Sequence, residues 1–168
     1  MSARADPQLA MRPFLPADTA LLADIFRASI EELTADDYSQ AQRERWASAA
    51  DDQETFRARL AGQLTLLGTM AGSPVGFASL KGKEHIDMLY VHPAAAGHGV
   101  GSMLVDALEK LAAARGAKQL TADVSDSAEE FFKRRGFVAQ RRNTVPLGGE
   151  WLANTTMQKR LAAKEHTR

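Results

Sequence analysis

The stretch from Leu89 to Leu111 constrains the fold most, because it predicts a strand, a glycine turn and a helix in direct succession. The residues before the turn, His85–Val91, are mostly apolar and end in aromatic and β-branched residues, which is typical of a buried strand. His92-Pro93 ends that strand, because proline cannot donate to a strand ladder. Beyond the turn, apolar residues recur every three or four positions and predict one buried helix face: Val100, Met103, Leu104, Ala107, Leu108 and Leu111.

Three glycines, Gly97, Gly99 and Gly101, lie at this turn. Glycine lets the backbone approach a ligand closely, and the first N–H groups of a helix have no partner within it, so the arrangement suits a phosphate. The spacing differs from the dinucleotide-binding fingerprint, although Asp123 lies near the expected ribose-binding position. A nucleotide P-loop is not indicated, because its lysine is missing. A turn in which the glycines only let the helix pack on the strand is the remaining interpretation.

Composition limits the classes of protein to consider. The 168 residues are enough for one domain with a sizeable core. Lysine plus arginine and aspartate plus glutamate both number 21, so the zero net charge gives no reason to expect nucleic acid or a membrane surface as a partner. The absence of cysteine excludes disulfides, thiolate metal sites and a cysteine nucleophile. Because no run of about 18 apolar residues occurs, we expect a cytoplasmic location.

The order of the remaining elements predicts an α+β arrangement with a mixed sheet. Strands are predicted at Leu9–Phe14, Leu64–Met70, Val75–Leu80, His85–Val91, Gln119–Val124, Val138–Val145 and Ala153–Leu161. Helices are predicted from the N-cap Asp18 to Ile30, around Gln40–Ala49, from a capping box at Asp51 to Ala61, from Val100 to Arg115 and at Ser127–Arg135. The strand after the long helix should run parallel to the strand before the glycine turn, because a crossover helix joins them.

Two motifs resemble those of the Gcn5-related N-acetyltransferase (GNAT) family. Ala96-Gly97-His98-Gly99-Val100-Gly101 is similar to the family's pyrophosphate loop, Arg/Gln-x-x-Gly-x-Gly/Ala, with Ala96 at the place of the usual Arg or Gln. Ser125–Phe137 is similar to the family's Asn-x-x-Ala-x-x-Phe-Tyr-x-x-x-Gly-Phe. Here Ser125 stands in place of the asparagine that contacts the pantetheine arm, and Phe132 stands in place of the tyrosine general acid.

The resemblance extends from Met11 to Lys159 and implies the family's fold. We therefore expect a mixed α/β sandwich whose mostly antiparallel sheet has about six to seven strands and is flanked by about four helices. One N-acetyltransferase domain is expected over residues 1–168, with its core at about 9–161.

The resemblance also implies that acetyl-CoA is the cosubstrate and that no metal takes part. On the positions that match the family motifs, it implies a set of coenzyme-binding residues: Leu89, Tyr90, Val91, Ala96, Gly97, His98, Gly99, Val100, Gly101, Ser102, Ser125 and Phe132. Backbone N–H groups at the end of the strand Leu89–Val91 would polarise the thioester carbonyl. One of Lys133, Arg134 and Arg135 would contact the 3′-phosphate of the coenzyme, unless this basic cluster is only solvated surface.

Acetyl transfer requires that the acceptor ammonium lose a proton, and Asp87 and His85 are the catalytic candidates. They lie two residues apart on the strand before the glycine turn, and hence on one face of it. Purely structural roles for both are equally compatible with the sequence. Trp46 and Glu31 are the candidates for acceptor binding, with a core tryptophan and a solvated polar loop as the alternatives.

These observations predict an acetyl-CoA-dependent N-acetyltransferase that acts on a primary amine of a small molecule or a peptide. Two alternatives stay open. One is a non-catalytic coenzyme-A-binding module, which the missing tyrosine and asparagine would suit. The other is a toxin-like acetyltransferase acting on aminoacyl-tRNA, which would need a strong basic face. We expect neither nucleic acid nor a membrane as a partner, and a homodimer is compatible with the sequence.

Overall fold

A computed structural model describes residues 8–162 and places seven strands in one sheet, in the order β1-β2-β3-β4-β5-β7-β6. The strands are β1 (Leu9–Pro13), β2 (Leu64–Met70), β3 (Ser73–Lys81), β4 (His85–Val91), β5 (Gln119–Ser125), β6 (Val138–Leu147) and β7 (Glu150–Arg160). The α-helices are α1 (Thr19–Leu33), α2 (Gln40–Ala47), α3 (Gln53–Ala61), α4 (Val100–Ala114) and α5 (Glu129–Arg134). Only β4 and β5 pair in parallel, so the predicted mixed, mostly antiparallel sheet is confirmed. Residues 1–7 and 163–168 of the predicted domain lie outside the described residues.

Two hydrophobic clusters cover the two faces of the sheet. Helices α4 and α5 cover one face with residues such as Leu104 and Phe132. Helices α1 and α3 cover the other face, where Phe26 is almost completely buried. Because the side chains of a strand alternate between faces, β3 contributes Phe77 to the second cluster and Ala78 to the first.

Helix α1 begins at Thr19, as predicted, but Asp18 makes no capping bond to it. The Asp18 carboxylate instead accepts two hydrogen bonds of 2.9 Å from the Arg12 guanidinium and one of 2.8 Å from the Leu15 N–H. The hydrogen bonds from Arg12 lower the pKa of Asp18 and tie β1 to the start of α1. Asp18 is therefore the N-cap residue of α1 by position, as predicted, but its carboxylate bonds to Arg12 and to the Leu15 N–H and not to the helix.

The hairpin of β6 and β7 is longer than predicted and closes through the two-residue turn Gly148-Gly149. Both glycines have a positive φ, which suits a tight hairpin turn. The predicted first strand ends at Val145, because Pro146 follows it and proline usually interrupts a ladder. Since β6 is an edge strand, Pro146 is tolerated there without a donor on its outer side.

The parallel strands β4 and β5 separate soon after they begin. Only His85 and Ile86 of β4 pair with β5, opposite Thr121 and Ala122. Beyond this point the two strands diverge, and backbone groups on the facing edges have no partner strand between them. The divergence opens a cleft in the middle of the sheet.

A β-bulge lies in β4 at the edge of this cleft. Ile86 and Met88 pair with the consecutive β3 residues Leu80 and Ser79, so Asp87 has no partner on β3. As a result Ile86 packs in the cluster under α4, whereas Met88 packs in the cluster under α1 and α3. A bulge re-aims the side chains beyond it, and here it does so at the place where the cleft opens.

Within residues 8–162, no helix combines the length and the apolar character needed to cross a membrane. The same part of the chain contains no group of three or more histidine, aspartate or glutamate side chains that could hold a metal ion.

Candidate active site

A cavity of about 260 Å³ lies where β4 and β5 diverge. The ends of both strands form its walls together with the last turns of α1, the side of α2 and the starts of α4 and α5. Clefts of this kind, next to a helix N-terminus, are common ligand sites. Eight of the predicted site residues line it: Trp46, Asp87, Leu89, Tyr90, Val91, Gly101, Ser125 and Phe132.

The predicted phosphate loop leads into the wall of this cavity through Gly101. Gly97 and Gly99 have φ angles of +82° and +88°, which other residues rarely adopt, and Gly99 is the N-cap of α4. Among the described residues, nothing accepts a hydrogen bond from the N–H groups of Gly97 and of 99–102. A row of free donors at the start of a 15-residue helix fits the oxygens of a phosphate group.

The other predicted residues of the loop do not line the cavity. Ala96 and His98 are exposed, and their N–H groups bond back to the preceding 3₁₀ turn. Ser102 lies half-buried in the first turn of α4. Val100 is buried so closely against β2 that a Cβ on Gly68 would lie 2.9 Å from its Cγ1. The Val100 side chain therefore fixes the start of the helix and leaves only its N–H for a ligand.

Asp87 lies in the β-bulge with one carboxylate oxygen bonded and the other free. Its Oδ2 accepts hydrogen bonds from Arg59 Nε at 2.9 Å and from Gln63 Nε2 at 2.8 Å. Its Oδ1 accepts none from the described residues, and the residue lines the cavity. Burial tends to raise the pKa of Asp87, but the bonds from Arg59 and Gln63 outweigh burial and the pKa is lowered. Asp87 is thus a carboxylate at neutral pH, suited to hold a cation or orient a water molecule.

His85 does not line the cavity. Its Nδ1 lies 2.9 Å from Thr121 Oγ1, where β4 and β5 are still paired. The bulge at Asp87 also interrupts the regular alternation along β4 between the two predicted catalytic residues. A role of His85 in proton transfer stays a prediction, and the residue has no contact with the cavity.

Trp46 and Tyr90 form an aromatic part of the cavity wall, and Trp46 also contacts Tyr38, which does not line the cavity. The Trp46 ring centroid lies 5.4 Å from that of Tyr38 and 6.4 Å from that of Tyr90. The indole Nε1 donates a hydrogen bond of 3.2 Å to the Tyr90 hydroxyl. The predicted acceptor-binding tryptophan therefore lies in the cavity, on the side that α1 and α2 cover.

Glu31, the other predicted acceptor-binding residue, is exposed and lines a different cavity of about 240 Å³. That cavity lies between α1 and α2 and is lined by Arg27, Arg43 and Glu44 among others. The reason is helical geometry. Ser29 of α1 faces the cavity that contains Asp87, and a residue two positions further on a helix points away from it.

The second family-like motif supplies another part of the cavity wall. Ser125 lines the cavity, and its Oγ accepts a hydrogen bond of 3.2 Å from the Ala128 N–H. Phe132 also lines the cavity and is 4% exposed, with edge-to-face contacts to Phe131 and Phe137 at centroid distances of 5.3 Å and 5.0 Å. Phe132 thus contributes an apolar ring to the cavity and no hydroxyl group.

The basic cluster near this motif is largely paired with carboxylates. Lys133 Nζ lies 3.0 Å from Glu129, and Arg135 and Arg142 form ion pairs with Asp106 and Asp126. Arg134 has no ion pair within the described part of the chain.

Several residues of the site are absent from the sequence prediction. Asp123 lines the cavity from β5, and strand alternation with the predicted Ser125 gave a signal for it. Arg59 and Gln63 bond to Asp87 from positions 28 and 24 residues earlier. No local pattern connects them with β4, so only the folded chain reveals these two partners.

Comparison with known proteins agrees with this geometry. The protein family described as "Acetyltransferase (GNAT) domain" matches residues 34–161 of this chain. The uncharacterized N-acetyltransferase YafP of Escherichia coli K12 is 31% identical over 148 residues, which cover 88% of this chain and 93% of that protein.

Two solved structures extend the comparison. A protein from Rhodopseudomonas palustris, described as a GCN5-related N-acetyltransferase and as an aminotransferase of class II, is 64% identical with a TM-score of 0.91. The match covers 95% of this chain and all of that one. The PaiA N-acetyltransferase from Thermoplasma acidophilum, solved in complex with coenzyme A, has a TM-score of 0.76 at 18% identity and covers 91% and 99% of the two chains. This last likeness concerns the fold alone.

Proposed function

Because the chain belongs to the GNAT family of N-acetyltransferases, we propose that it transfers the acetyl group of acetyl-CoA to a primary amine bound at the acidic end of the cavity. We further propose that one acetyltransferase domain spans the chain with its core at about 9–161, since the sheet runs from Leu9 to Arg160. The cytoplasmic location and the absence of nucleic-acid and membrane partners stay predictions.

The charge of the cavity lining carries the proposal of an amine acceptor. Asp87 and Asp123 line the cavity from the two diverging strands, and the lining includes no lysine, arginine or histidine among the described residues. Asp87 is offset in part by Arg59, whereas Asp123 accepts a hydrogen bond of 2.6 Å from the neutral Thr156 hydroxyl. A negative, partly enclosed site attracts an ammonium group and disfavours an anionic acceptor.

The coenzyme would bind at the other end of the cavity. The free N–H groups at the start of α4 suit the pyrophosphate, and the apolar wall of Val124, Ala128 and Phe131 suits the pantetheine arm. Coenzyme A was found bound in the PaiA protein of the same fold, which supports the choice of acetyl-CoA. Backbone N–H groups of β4 beyond Ile86, which face no partner on β5, are available to polarise the thioester carbonyl.

Asp87 would act on the acceptor, directly or through one water molecule. The free Oδ1 receives the ammonium, and the Oδ2 bonds to Arg59 and Gln63 hold the carboxylate in place. The ammonium first loses one proton to solvent through the carboxylate or its water molecule, and the neutral amine then attacks the thioester carbon. The carbon–sulfur bond breaks, the coenzyme leaves as a thiolate, and a second proton passes from the reacting nitrogen to solvent or to the thiolate. A thiol with an ordinary pKa near 8.5 leaves without a dedicated acid, so the lack of a hydroxyl at Phe132 is compatible with transfer.

The test is the release of coenzyme thiol from acetyl-CoA with a panel of primary amines. We expect release that depends on the amine and saturates with it. Acetyl-CoA binding without any amine-dependent release would favour the non-catalytic module. Release with aminoacyl-tRNA but with no small amine would favour the toxin-like alternative, against which the ion pairs of Lys133, Arg135 and Arg142 argue.

Gly99→Asp tests the phosphate loop. The change places a carboxylate where the phosphate oxygens would bind, and it forces a residue with a Cβ into a φ of +88°. Calorimetry should therefore show an acetyl-CoA affinity at least tenfold weaker than that of the wild type. Gly72→Asp is the matched control, because Gly72 has a φ of +87° and open space in the β2–β3 turn. Equal affinities of the two variants would contradict the assignment of the loop.

Arg134 is our choice for the 3′-phosphate of the coenzyme. Arg134→Gln should weaken acetyl-CoA and leave the affinity for 3′-dephospho-coenzyme A unchanged. If both ligands weaken alike, the residue acts on the fold and not on the phosphate.

A further inference from the structure

Tyr90 occupies a special position in the cavity, and the proposed reaction uses only its backbone. Its ring is enclosed by Phe26 at a centroid distance of 4.6 Å and by Phe77 at 5.7 Å. Its hydroxyl oxygen accepts the hydrogen bond from Trp46 Nε1, and the residue lines the cavity. The phenol is therefore held rigidly, with its oxygen directed toward the wall that α2 contributes.

The hydrogen of this hydroxyl has no acceptor among the described residues. A phenol has one donor hydrogen as well as acceptor capacity, and Trp46 uses only the acceptor side. A buried donor that stays unmet is costly, so such a group normally faces water or a ligand. Burial raises the pKa of Tyr90 to about 12, so the hydroxyl keeps its hydrogen throughout the pH range of an acetyl-transfer assay.

The side on which Tyr90 lies identifies the ligand. Its neighbours in sequence, Leu89 and Val91, pack against the cluster under α4, the helix that carries the phosphate loop. Tyr90 itself packs against the cluster under α1 and α3, together with Trp46. The hydroxyl therefore faces the acceptor side of the sheet and not the side of the coenzyme loop.

We propose, on the basis of the proposed function, that the Tyr90 hydroxyl donates a hydrogen bond to a neutral oxygen of the acceptor and so selects amines that carry an amide carbonyl or a hydroxyl group. The reacting nitrogen cannot be the partner, because an ammonium has no lone pair and a neutral amine uses its lone pair in the attack. A carboxylate oxygen is disfavoured, since Asp87 and Asp123 line the same cavity. The acceptor thus combines a cationic amine for Asp87 with a neutral oxygen for Tyr90.

The kinetic test compares amides with alkylamines of the same shape. Glycinamide, β-alaninamide and 4-aminobutanamide are paired with isobutylamine, 3-methylbutylamine and 4-methylpentylamine. Tyr90→Phe removes only the hydroxyl, and a thermal melt checks that the variant folds. For the best amide, kcat/KM should fall by about three- to tenfold in Tyr90→Phe, the range for one lost hydrogen bond, while the matched alkylamine changes less than twofold. An equal fall for both members of a pair, or no fall for any amide, would overturn the inference.

Tyr38→Phe is the matched control, because it is the other tyrosine of the chain and both sides of its hydroxyl are bonded. Tyr38 donates to the Ala153 carbonyl at 2.6 Å and accepts from the Asp126 N–H at 2.9 Å. This variant should leave the ratio of amide to alkylamine kcat/KM as in the wild type. A loss of the amide preference in Tyr38→Phe as well would count against a specific role of Tyr90.

A second measurement needs no turnover. The chain has two tryptophans, and Trp46 bonds to Tyr90 whereas Trp151 is exposed, so two indole N–H signals are expected in a ¹⁵N–¹H spectrum. With coenzyme A present, the amides should shift the Trp46 signal more than the alkylamines do, and Tyr90→Phe should abolish the difference. Trp151 provides the internal reference. An amide-specific shift without thiol release would reject the proposed transferase activity but support the hydrogen bond from Tyr90. Thiol release without an amide-specific shift would support the transferase activity but reject the role of Tyr90.

Discussion

At Asp87, the two oxygens of one carboxylate serve different purposes. Oδ2 is fixed by Arg59 and Gln63, and Oδ1 is left toward the cavity. Asp87→Asn keeps the shape and removes the carboxylate that would take up the proton of the acceptor ammonium, directly or through a water molecule. We expect kcat to fall by about a hundredfold, the usual scale for such a loss, with acetyl-CoA affinity nearly unchanged. His85→Gln, measured in parallel, should change kcat little, since His85 lies outside the cavity. A larger fall in kcat for His85→Gln than for Asp87→Asn would contradict the assignment of Asp87.

The lowered pKa of Asp87 leads us to expect that the stability of the protein depends on pH. The folded pKa of Asp87 is lowered, so its contribution is present above the ordinary aspartate pKa of about 3.9 and is lost as the pH falls through the folded value. In urea unfolding, wild type should exceed Asp87→Asn in stability at pH 6, and the difference should shrink below about pH 4. A difference that stays constant down to pH 3 would mean that the Arg59 and Gln63 bonds do not stabilise the charged form.

At the scale of elements, the position of α4 depends on two glycines beneath it. A Cβ on Gly68 of β2 would lie 2.9 Å from Val100 Cγ1, and a Cβ on Gly76 of β3 would lie 3.0 Å from the same atom. The helix N-terminus can therefore approach the sheet only because these strand residues lack side chains. Since Val100 also belongs to the phosphate loop, strand composition and coenzyme affinity should be linked.

Gly68→Ala tests this packing. Overpacking should destabilise the fold by about 1–3 kcal/mol and displace the start of α4, so acetyl-CoA affinity should also fall. Val100→Ala removes the clashing methyl groups, and the double variant should therefore lose less stability than the sum of the two single variants. Urea unfolding and calorimetry on the four proteins complete the cycle. Strict additivity would show that the close contact relaxes elsewhere.

At the scale of the whole molecule, Tyr38 joins three parts of the chain that are far apart in sequence. It lies after α1, and its hydroxyl bonds to Ala153 of β7 and to Asp126 after β5. Ser127 Oγ adds a bond of 2.7 Å to Asp37 in the same loop. Together these contacts hold the α1–α2 connection against the open end of β5, beside the cavity.

Tyr38→Phe should therefore destabilise the protein by about 1–3 kcal/mol, because a partly buried carbonyl and a partly buried N–H lose their partner. Burial raises the pKa of Tyr38, so its contribution is present below the ordinary tyrosine pKa of about 10 and is lost as the pH rises through the folded value. The stability difference between wild type and variant should accordingly narrow above pH 10. Ser127→Ala, which removes an exposed bond, should cost less than 1 kcal/mol. If Tyr38→Phe and Ser127→Ala lower the free energy of unfolding equally, Tyr38 is not the main residue that holds the α1–α2 connection in place.

The sequence by itself determined the features that depend on neighbouring residues. The strand, the three glycines and the amphipathic helix follow one another within Leu89–Leu111, so their periodicity predicts α4 and its free N–H groups correctly. The meander of β2, β3 and β4 and the parallel return to β5 are equally local, because short connections and a crossover helix leave few alternatives. The family resemblance also rests on contiguous segments, the glycine loop within Leu89–Leu111 and the motif Ser125–Phe137.

Only the tertiary structure decided which side chains meet. The bulge at Asp87 arises from how β3 and β4 align, and the bonds to its carboxylate come from Arg59 of α3 and from Gln63, between α3 and β2. The separation of Trp46, which lines the cavity, from Glu31, which does not, depends on how α1 and α2 pack on the sheet. Such contacts join residues far apart in the chain, and their free energies depend on the distance between the groups and on how deeply they are buried. Neither the distance nor the burial can be read from periodicity and spacing along the sequence.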